Sequence, residues 1–190
     1  MEGFPIDTAR LQALLHEPFE VASYDPQWPA LYAGEEQRLQ KLLPSALVLR
    51  IDHIGSTAVP GLSAKPIIDV QVQVNDLERV REVVVPKLVA TGYEHLWRPS
   101  IGERAPVYAW FIRRHADGRR THHVHMLLPD EASADRILFR DHLRTHAEAA
   151  RAYEALKQEL ATRFPRDRAA YTSGKSAFVS AILEQARKGR

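Results

Sequence analysis

Cysteine is absent from the 190 residues. That excludes disulfides, zinc–thiolate sites and a cysteine nucleophile, and it suits a cytoplasmic protein. No run of about 18 apolar residues occurs, so nothing reads as a membrane span. The opening MEGFPIDTARLQALLHEPFE has no basic region followed by an apolar core, and no signal peptide is read there. Charge of one sign is also scarce: 26 Lys and Arg against 24 Asp and Glu leave a net +2. Such a surplus makes no nucleic-acid footprint unless it is concentrated. The basic clusters Arg113-Arg114, Arg119-Arg120 and Arg187-Lys188-Gly189-Arg190 are short and read as a hairpin tip and a tail. Neither a membrane nor nucleic acid is expected as a partner. Walker A, G-x-G-x-x-G and G-x-S-x-G motifs are missing, which removes the P-loop, the dinucleotide fold and the nucleophile elbow.

What remains is an ordinary globular composition, 45% hydrophobic and 26% charged, in a chain of single-domain length. Asp7 caps a short helix carrying Leu11, Leu14 and Leu15. Residues 19–24 read as a brief extended segment, and residues 27–43 as an amphipathic helix. Residues 47–54 form a first strand with Leu47, Leu49 and Ile51 on one face. Residues 67–74 form the clearest strand: Ile68, Val70, Val72 and Val74 alternate with Ile67, Asp69, Gln71 and Gln73. The Asp69 face is expected to be polar and the other buried. Asn75-Asp76 starts a helix that Pro86 kinks or ends and Thr91-Gly92 closes. Residues 92–97, 107–114 and 121–128 give three more strands, the last two joined by a hairpin with an Asp117-Gly118 turn. Residues 98–106, with two prolines and a glycine, read as a mobile connection. From Ser133 the composition turns helical, with helices at 133–146, 147–163 and 172–188, the last capped by Thr172-Ser173. Strands followed by helices indicate an α+β domain over residues 1–190, with a sheet part at about 19–132 and a helical part at about 133–190 packed on it.

The stretch that concentrates chemistry is IDHIGSTAVPGLSAKPIIDVQVQV, residues 51–74. Gly55 permits close backbone approach, and Ser56 with successive N–H groups can form an anion nest. Lys65, held extended by Pro66, adds a cation ahead of Asp69. The same letters also suit a tight turn between two core strands.

The run HIGSTAVPGLSAKPIIDV closely resembles the signature of the GrpB family. Further matches are Tyr24-Asp25-Pro26-Gln27-Trp28-Pro29, His123-Val124-His125, Leu138-Phe139-Arg140-Asp141-His142-Leu143-Arg144, Tyr153-Glu154-Ala155-Leu156-Lys157, and Tyr171 followed by Lys175. The resemblance implies a small mixed sheet of the nucleotidyltransferase, DNA polymerase β-like type. A similar domain is fused to dephospho-CoA kinase in some bacteria. In that superfamily a Gly-Ser pair precedes a carboxylate-x-carboxylate strand, with a third carboxylate on a neighbouring strand. Gly55, Ser56 and Asp69 match, but Gln71 stands where the second carboxylate belongs. A neutral amide cannot help hold two Mg²⁺ about 4 Å apart.

Histidine offers a replacement. His123 and His125 share one face of their strand, with His122 on the other. If that strand lies beside the Asp69 strand, Asp69, His125 and His123 form a metal set. Such a set suits Zn²⁺ or Mn²⁺ better than Mg²⁺; hydrogen-bonded surface histidines are the alternative. His53 reads as a strand-end histidine that orients the Gly-Ser loop. Arg140 and Arg144 sit one turn apart, as phosphate forks or a surface ion-pair network. Tyr153/Lys157 and Tyr171/Lys175 repeat a pairing that could offer an aromatic platform with a cation, or simply core rings with solvated stems.

The sequence thus points to a nucleoside triphosphate-binding nucleotidyltransferase with a divalent metal (Mg²⁺ or Mn²⁺, with Zn²⁺ possible). Asp69 and Ser56 would be catalytic. Gly55, Ser56, Lys65, Arg140, Arg144 and Lys175 would hold phosphates, and Asp69, His125 and His123 the metal. The alternatives are a non-catalytic module for a nucleotide or CoA-like ligand, and a His/Asp metal-dependent hydrolase.

Overall fold

The computed structural model describes residues 4–99 and 107–189. Helix α1 (Thr8–Leu15) and helix α2 (Trp28–Leu42) precede strand β1 (Val48–Ile54). A 3₁₀ turn, Ser56–Ala58, leads towards β2 (Ile68–Val74). Short helices α3 (Leu77–Arg79) and α4 (Val85–Ala90) follow, joined by a π turn at Val80–Val84. Next come β3 (Glu94–Pro99), β4 (Val107–Arg114) and β5 (Arg120–Leu127). Helices α5 (Glu131–Thr145), α6 (Ala147–Arg163), α7 (Arg168–Ser173) and α8 (Ser176–Lys188) close the chain. The expected mobile connection falls almost wholly on residues 100–106, outside the described residues.

The five strands form one mixed sheet in the order β1-β2-β5-β4-β3. β2 and β5 are parallel neighbours at its centre, and every other pairing is antiparallel. One face is largely apolar, with His53, His95 and His122 among its hydrocarbons. Val70, Val72, Val74, Phe111, Val124 and Met126 are fully buried against Trp28 and Leu39 of α2 and Val80, Val84 and Leu88 of the α3–α4 segment. The β2 alternation dictates this, since every second residue is a β-branched hydrocarbon suited to a pleated surface. Glu35 of α2 ties the layers together. Its carboxylate accepts from the Tyr93 hydroxyl and from Arg113 at 2.8 Å.

Several local expectations are met with a physical refinement. Asp7 accepts from the Arg10 N–H at 2.8 Å and caps α1. Pro86 has no N–H to return to the preceding turn, and the chain widens just before it: the Val85 N–H reaches the Val80 carbonyl. Gly118 turns the β4–β5 hairpin at φ 88°. Helix α5 starts two residues before Ser133, because Asp130 caps it and Ser133 completes a reciprocal capping box.

Others are corrected. Leu49 does not join Leu47 and Ile51 on one face, because a β-bulge between Val48 and Arg50 shifts the register and leaves Leu49 55% exposed. Residues 19–24 contribute only an isolated bridge, Ala22 to Ala64. Thr172-Ser173 is no helix start: α7, capped by Asp167, ends there, and α8 starts at Ser176. The polar face of β2 is only partly open, with the Asp69 side chain 31% exposed. Gln71 is wholly buried and donates to the Ser133 carbonyl at 3.1 Å, so the helical region covers this face too.

Lys157 of α6 is 1% exposed and donates to the Ser63 carbonyl, while Glu154 accepts from the Ser63 N–H at 3.3 Å and from its hydroxyl. These bonds fasten α6 to the segment that leads from the Gly-Ser turn to Lys65. Burial and the charge of Lys175 push Lys157 down to about 7. The unfolded chain keeps its lysines near 10.4, so between about pH 7 and 10 it holds a proton that the fold releases. Stability therefore rises with pH across that window. Lys157→Met is expected to reduce the rise in urea midpoint between pH 7 and 9 without abolishing it, because burial shifts Lys65 and Lys175 in the same direction. Equal rises in both proteins would refute the assignment.

Candidate functional site

The parallel pairing of β2 with β5 sets Asp69 directly opposite His123 and Gln71 opposite His125. Side chains two residues apart share a face. His123 and His125 therefore flank the one carboxylate that β2 directs to that face. His123 Nδ1 lies 3.1 Å from Asp69 Oδ1, and His125 Nε2 lies 3.5 Å from the same oxygen. Trp110 of β4 packs over both imidazoles, at 5.0 and 6.4 Å between centroids, and Tyr108 over His125 at 5.5 Å. Burial alone would raise Asp69, but hydrogen bonds from the two histidines overcome it and hold the carboxyl well below the usual range. Burial pushes His125 down to about 4 against the pull of Asp69, and His123 moves the same way. At neutral pH the trio is one carboxylate and two neutral imidazoles.

That donor set fits a divalent transition metal. In a tetrahedral site with bonds of about 2.0–2.1 Å, neighbouring ligand atoms stand roughly 3.3–3.4 Å apart. The two distances on Asp69 Oδ1 bracket that separation, and the three ligand atoms lie within 4.8 Å of one another. The outward nitrogens, His123 Nε2 and His125 Nδ1, are buried without a hydrogen-bond partner among the described residues. The rings are thus held by packing and by Asp69.

The Gly-Ser turn lies against this cluster. Gly55 has φ 74° and ψ −174°, a conformation close to glycine-only. A Cβ there would stand 2.8 Å from Asp69 Oδ2. Glycine is therefore needed so that Asp69 can pack on the backbone, a reason the sequence did not reveal. His53 Nε2 lies 3.0 Å from the Thr57 hydroxyl and its ring stacks on Tyr32 at 4.6 Å. It orients the 3₁₀ turn, as expected for a strand-end histidine.

A cavity of about 340 Å³ opens over Asp69 and His125. Four of the six expected phosphate ligands line it: Gly55, Ser56, Arg140 and Lys175. Arg140 is pre-positioned, donating to the His53 carbonyl at 2.8 Å and to Asp141 at 2.7 Å. Lys175 lies 4.7 Å from the Tyr171 ring centroid, and burial pushes it down to about 8 although Asp69 opposes the change. The remaining two are elsewhere. Arg144 donates to the Ala58 carbonyl at 2.8 Å and faces a different cavity beside Pro60 and Glu154. Lys65 lines a third cavity with Phe19 and Arg168. Neither tyrosine offers a free platform, since Tyr171 and Tyr153 are both buried and Tyr153 stacks on Phe178.

Two further cations line the Asp69 cavity, Arg98 and Arg136. Arg136 reaches Gln71 Oε1 at 3.5 Å. It belongs with Arg140 and Arg144 to one i, i+4, i+8 stripe of α5, a signal present in the sequence that pairing only the last two missed. His122 is buried on the opposite face, bonded to the Thr121 hydroxyl at 2.9 Å.

Comparison with known proteins places this architecture. The chain is 42% identical over 168 residues to a UPF0157 protein of Pseudomonas aeruginosa, covering 88% of this chain and 67% of that protein. It is 33% identical over 183 residues to a dephospho-CoA kinase of Mycolicibacterium paratuberculosis, of which it spans only 43%. The crystal structure of the conserved protein GrpB from Enterococcus faecalis superposes with a TM-score of 0.75 at 32% identity, covering 90% of this chain and 98% of that one. The mixed sheet flanked by helices is consistent with a nucleotidyltransferase-like fold. No described helix is long and apolar enough to cross a membrane. The model of the GrpB protein family matches residues 18–185, and the chain belongs to the GrpB family.

Proposed function

We propose that the chain binds a nucleoside triphosphate or a similar phosphate ester beside one divalent metal ion and transfers a nucleotidyl group to a small acceptor. The observation that carries this reading is the convergence of Asp69, His123 and His125, two of which, Asp69 and His125, line a cavity together with Ser56, Arg98, Arg136, Arg140 and Lys175. The three ligands suit Zn²⁺ or Mn²⁺ better than a hard, oxygen-seeking Mg²⁺. A bound ion would polarise a phosphoryl oxygen as a Lewis acid.

The residues of the chain supply the rest. Asp69 is ionised without needing a base to deprotonate it. Arg140, fixed by the His53 carbonyl and Asp141, keeps its guanidinium at the cavity wall in one orientation. Lys175 adds a flexible point charge for the outer phosphates. Tyr108, Phe139 and Val179 narrow the cavity and limit water around the transferred group. Gln71 takes no part: its amide is committed to Ser133 and Arg136, so one ion rather than two is the capacity of the site.

The same commitment of Gln71 favours a second reading, in which a nucleotide or CoA-like ligand is bound without turnover. Titration calorimetry of ATP, GTP, CTP and UTP with Mn²⁺ or Mg²⁺ tests binding. At least one nucleotide is expected to bind, about 10-fold or more weaker in Lys175→Met, because a hydrogen bond to a charged group is worth roughly 1.5–3 kcal/mol. No binding by folded protein would end both readings. Product analysis then separates them: pyrophosphate release with an acceptor supports transfer, inorganic phosphate supports hydrolysis, and an unchanged nucleotide supports the binding module.

A further inference from the structure

On another side of the sheet edge, Lys65, Pro66 and Ile67 face the β4–β5 hairpin and the start of α7 across a cavity of about 630 Å³. Five cations line it, Lys65, Arg114, Arg119, Arg120 and Arg168. Three of them are accounted for. Arg119 pairs with Asp117 at 2.8 Å. Arg114 pairs with Glu17 at 2.8 Å and with Glu94 at 3.3 Å. Arg120 pairs with Glu17 at 2.7 Å and donates to the Leu14 carbonyl at 2.7 Å.

Lys65 and Arg168 are different. Lys65 Nζ lies 3.9 Å from the Phe19 ring centroid and 4.2 Å from that of Tyr171, and among the described residues it pairs with no carboxylate. Arg168 is 8% exposed, and its Nε is buried with no hydrogen-bond partner among the described residues. Its one hydrogen bond among the described residues is a long 3.5 Å contact with the Pro18 carbonyl. Burial and the charge of Arg168 push Lys65 down to about 6. A buried guanidinium whose Nε has no partner, beside an amine that its surroundings keep from charging, is costly unless an anion pairs with them. Glu17, a carboxylate in the same cavity, is already bonded to Arg114 and Arg120.

We propose that this cavity binds the phosphate group of a small phosphate monoester, with Lys65 and Arg168 as its principal ligands. A phosphate monoester carries about −1.5 to −2 at neutral pH and offers three acceptor oxygens. It therefore matches the Arg168 guanidinium and a Lys65 amine that takes up a proton as the anion binds better than a monovalent carboxylate does. The guanidinium presents a planar fork and the ammonium a point charge, a combination suited to tetrahedral oxyanions. Pro18, Phe19 and Ile67 give the apolar wall for the body of the ester. The site is separate from the Asp69 cavity, and the inference does not rest on the metal reading. The Tyr171 ring is near both, with Lys65 Nζ 4.2 Å and Lys175 Nζ 4.7 Å from its centroid.

The test is a titration of the full chain with inorganic phosphate, followed through the arginine Nε–H resonances in ¹⁵N-correlated spectra. The Arg168 signal is assigned by its disappearance in Arg168→Lys. A saturable shift of the Arg168 resonance at millimolar phosphate or below is expected. It should persist in Asp69→Asn and weaken about 10-fold or more in Lys65→Met, whose fold the same spectra check. Acetate should shift the resonance far less at equal concentration. No saturable shift in the wild-type chain, a shift lost in Asp69→Asn, or equal response to acetate would each overturn the proposal.

Discussion

Replacing Asp69 with Asn is expected to weaken binding of Zn²⁺ or Mn²⁺ by at least about 100-fold, the upper end of what even an outer partner of a metal ligand is worth. Asp69 is the one anionic member of the trio, and both imidazoles face its Oδ1. An amide keeps the shape but removes the charge that compensates a dication. The effect reads out without any assay of activity. A ligand that binds only the folded state stabilises it by about 2.7 kcal/mol at 100 times its dissociation constant. Thermal melts with added metal should therefore move upward for the wild type and stay in place for Asp69→Asn. His125→Ala should resemble Asp69→Asn, whereas His122→Ala, altered on the opposite face, should keep the metal-induced shift. Equal shifts in wild type and Asp69→Asn would show that the ion binds elsewhere.

Gly55→Ala should cost about 2–3 kcal/mol of folding stability, combining a backbone conformation that only glycine adopts readily with a forced displacement. The new Cβ would meet Asp69 Oδ2 at 2.8 Å, closer than a side chain tolerates. Either the 3₁₀ turn or the carboxylate must move, so the variant should also lose metal affinity. Gly61 provides the control. It has φ 77°, yet nothing lies within 4 Å of a Cβ placed there. Gly61→Ala should cost only about 1–2 kcal/mol, the left-handed backbone penalty, with metal binding intact. Urea denaturation of the two variants measures the difference. Equal costs, or unimpaired metal binding in Gly55→Ala, would contradict the close packing of Gly55 on Asp69.

The contrast between Gly55 and Lys65 illustrates what the linear chain discloses. Strand β2 was legible because its alternation of β-branched and polar residues has only one structural solution. The hairpin was legible because Asp117-Gly118 specifies its turn. The importance of the Gly-Ser turn was legible as well, but its reason was not. Phosphate approach and carboxylate packing both demand glycine, and only register brings Asp69 under Gly55. The convergence of His123 on Asp69 likewise depends on β2 and β5 being parallel neighbours, a long-range pairing with no local signal. Lys65 is four residues from Asp69 yet lines another cavity, because the chain turns at Pro66 before β2 begins. The break between α7 and α8 was misplaced because Thr172-Ser173 imitates a cap. A Cβ on Gly174 would stand 2.5 Å from Leu160 Cδ2, so any larger residue there would have to displace the Leu160 side chain of α6. Gln71 lies on the Asp69 face, as the alternation indicates, while its burial against α5 became visible only when the helical region was seen to cover that face.

The most direct test is an anomalous difference map from crystals of the full chain grown with Mn²⁺ or Zn²⁺. A single peak is predicted within about 2.0–2.2 Å of Asp69 Oδ1, His123 Nδ1 and His125 Nε2, open towards the cavity that holds Ser56, Arg140 and Lys175. A map with no peak at that position, at a metal concentration that saturates the protein in solution, would contradict the account.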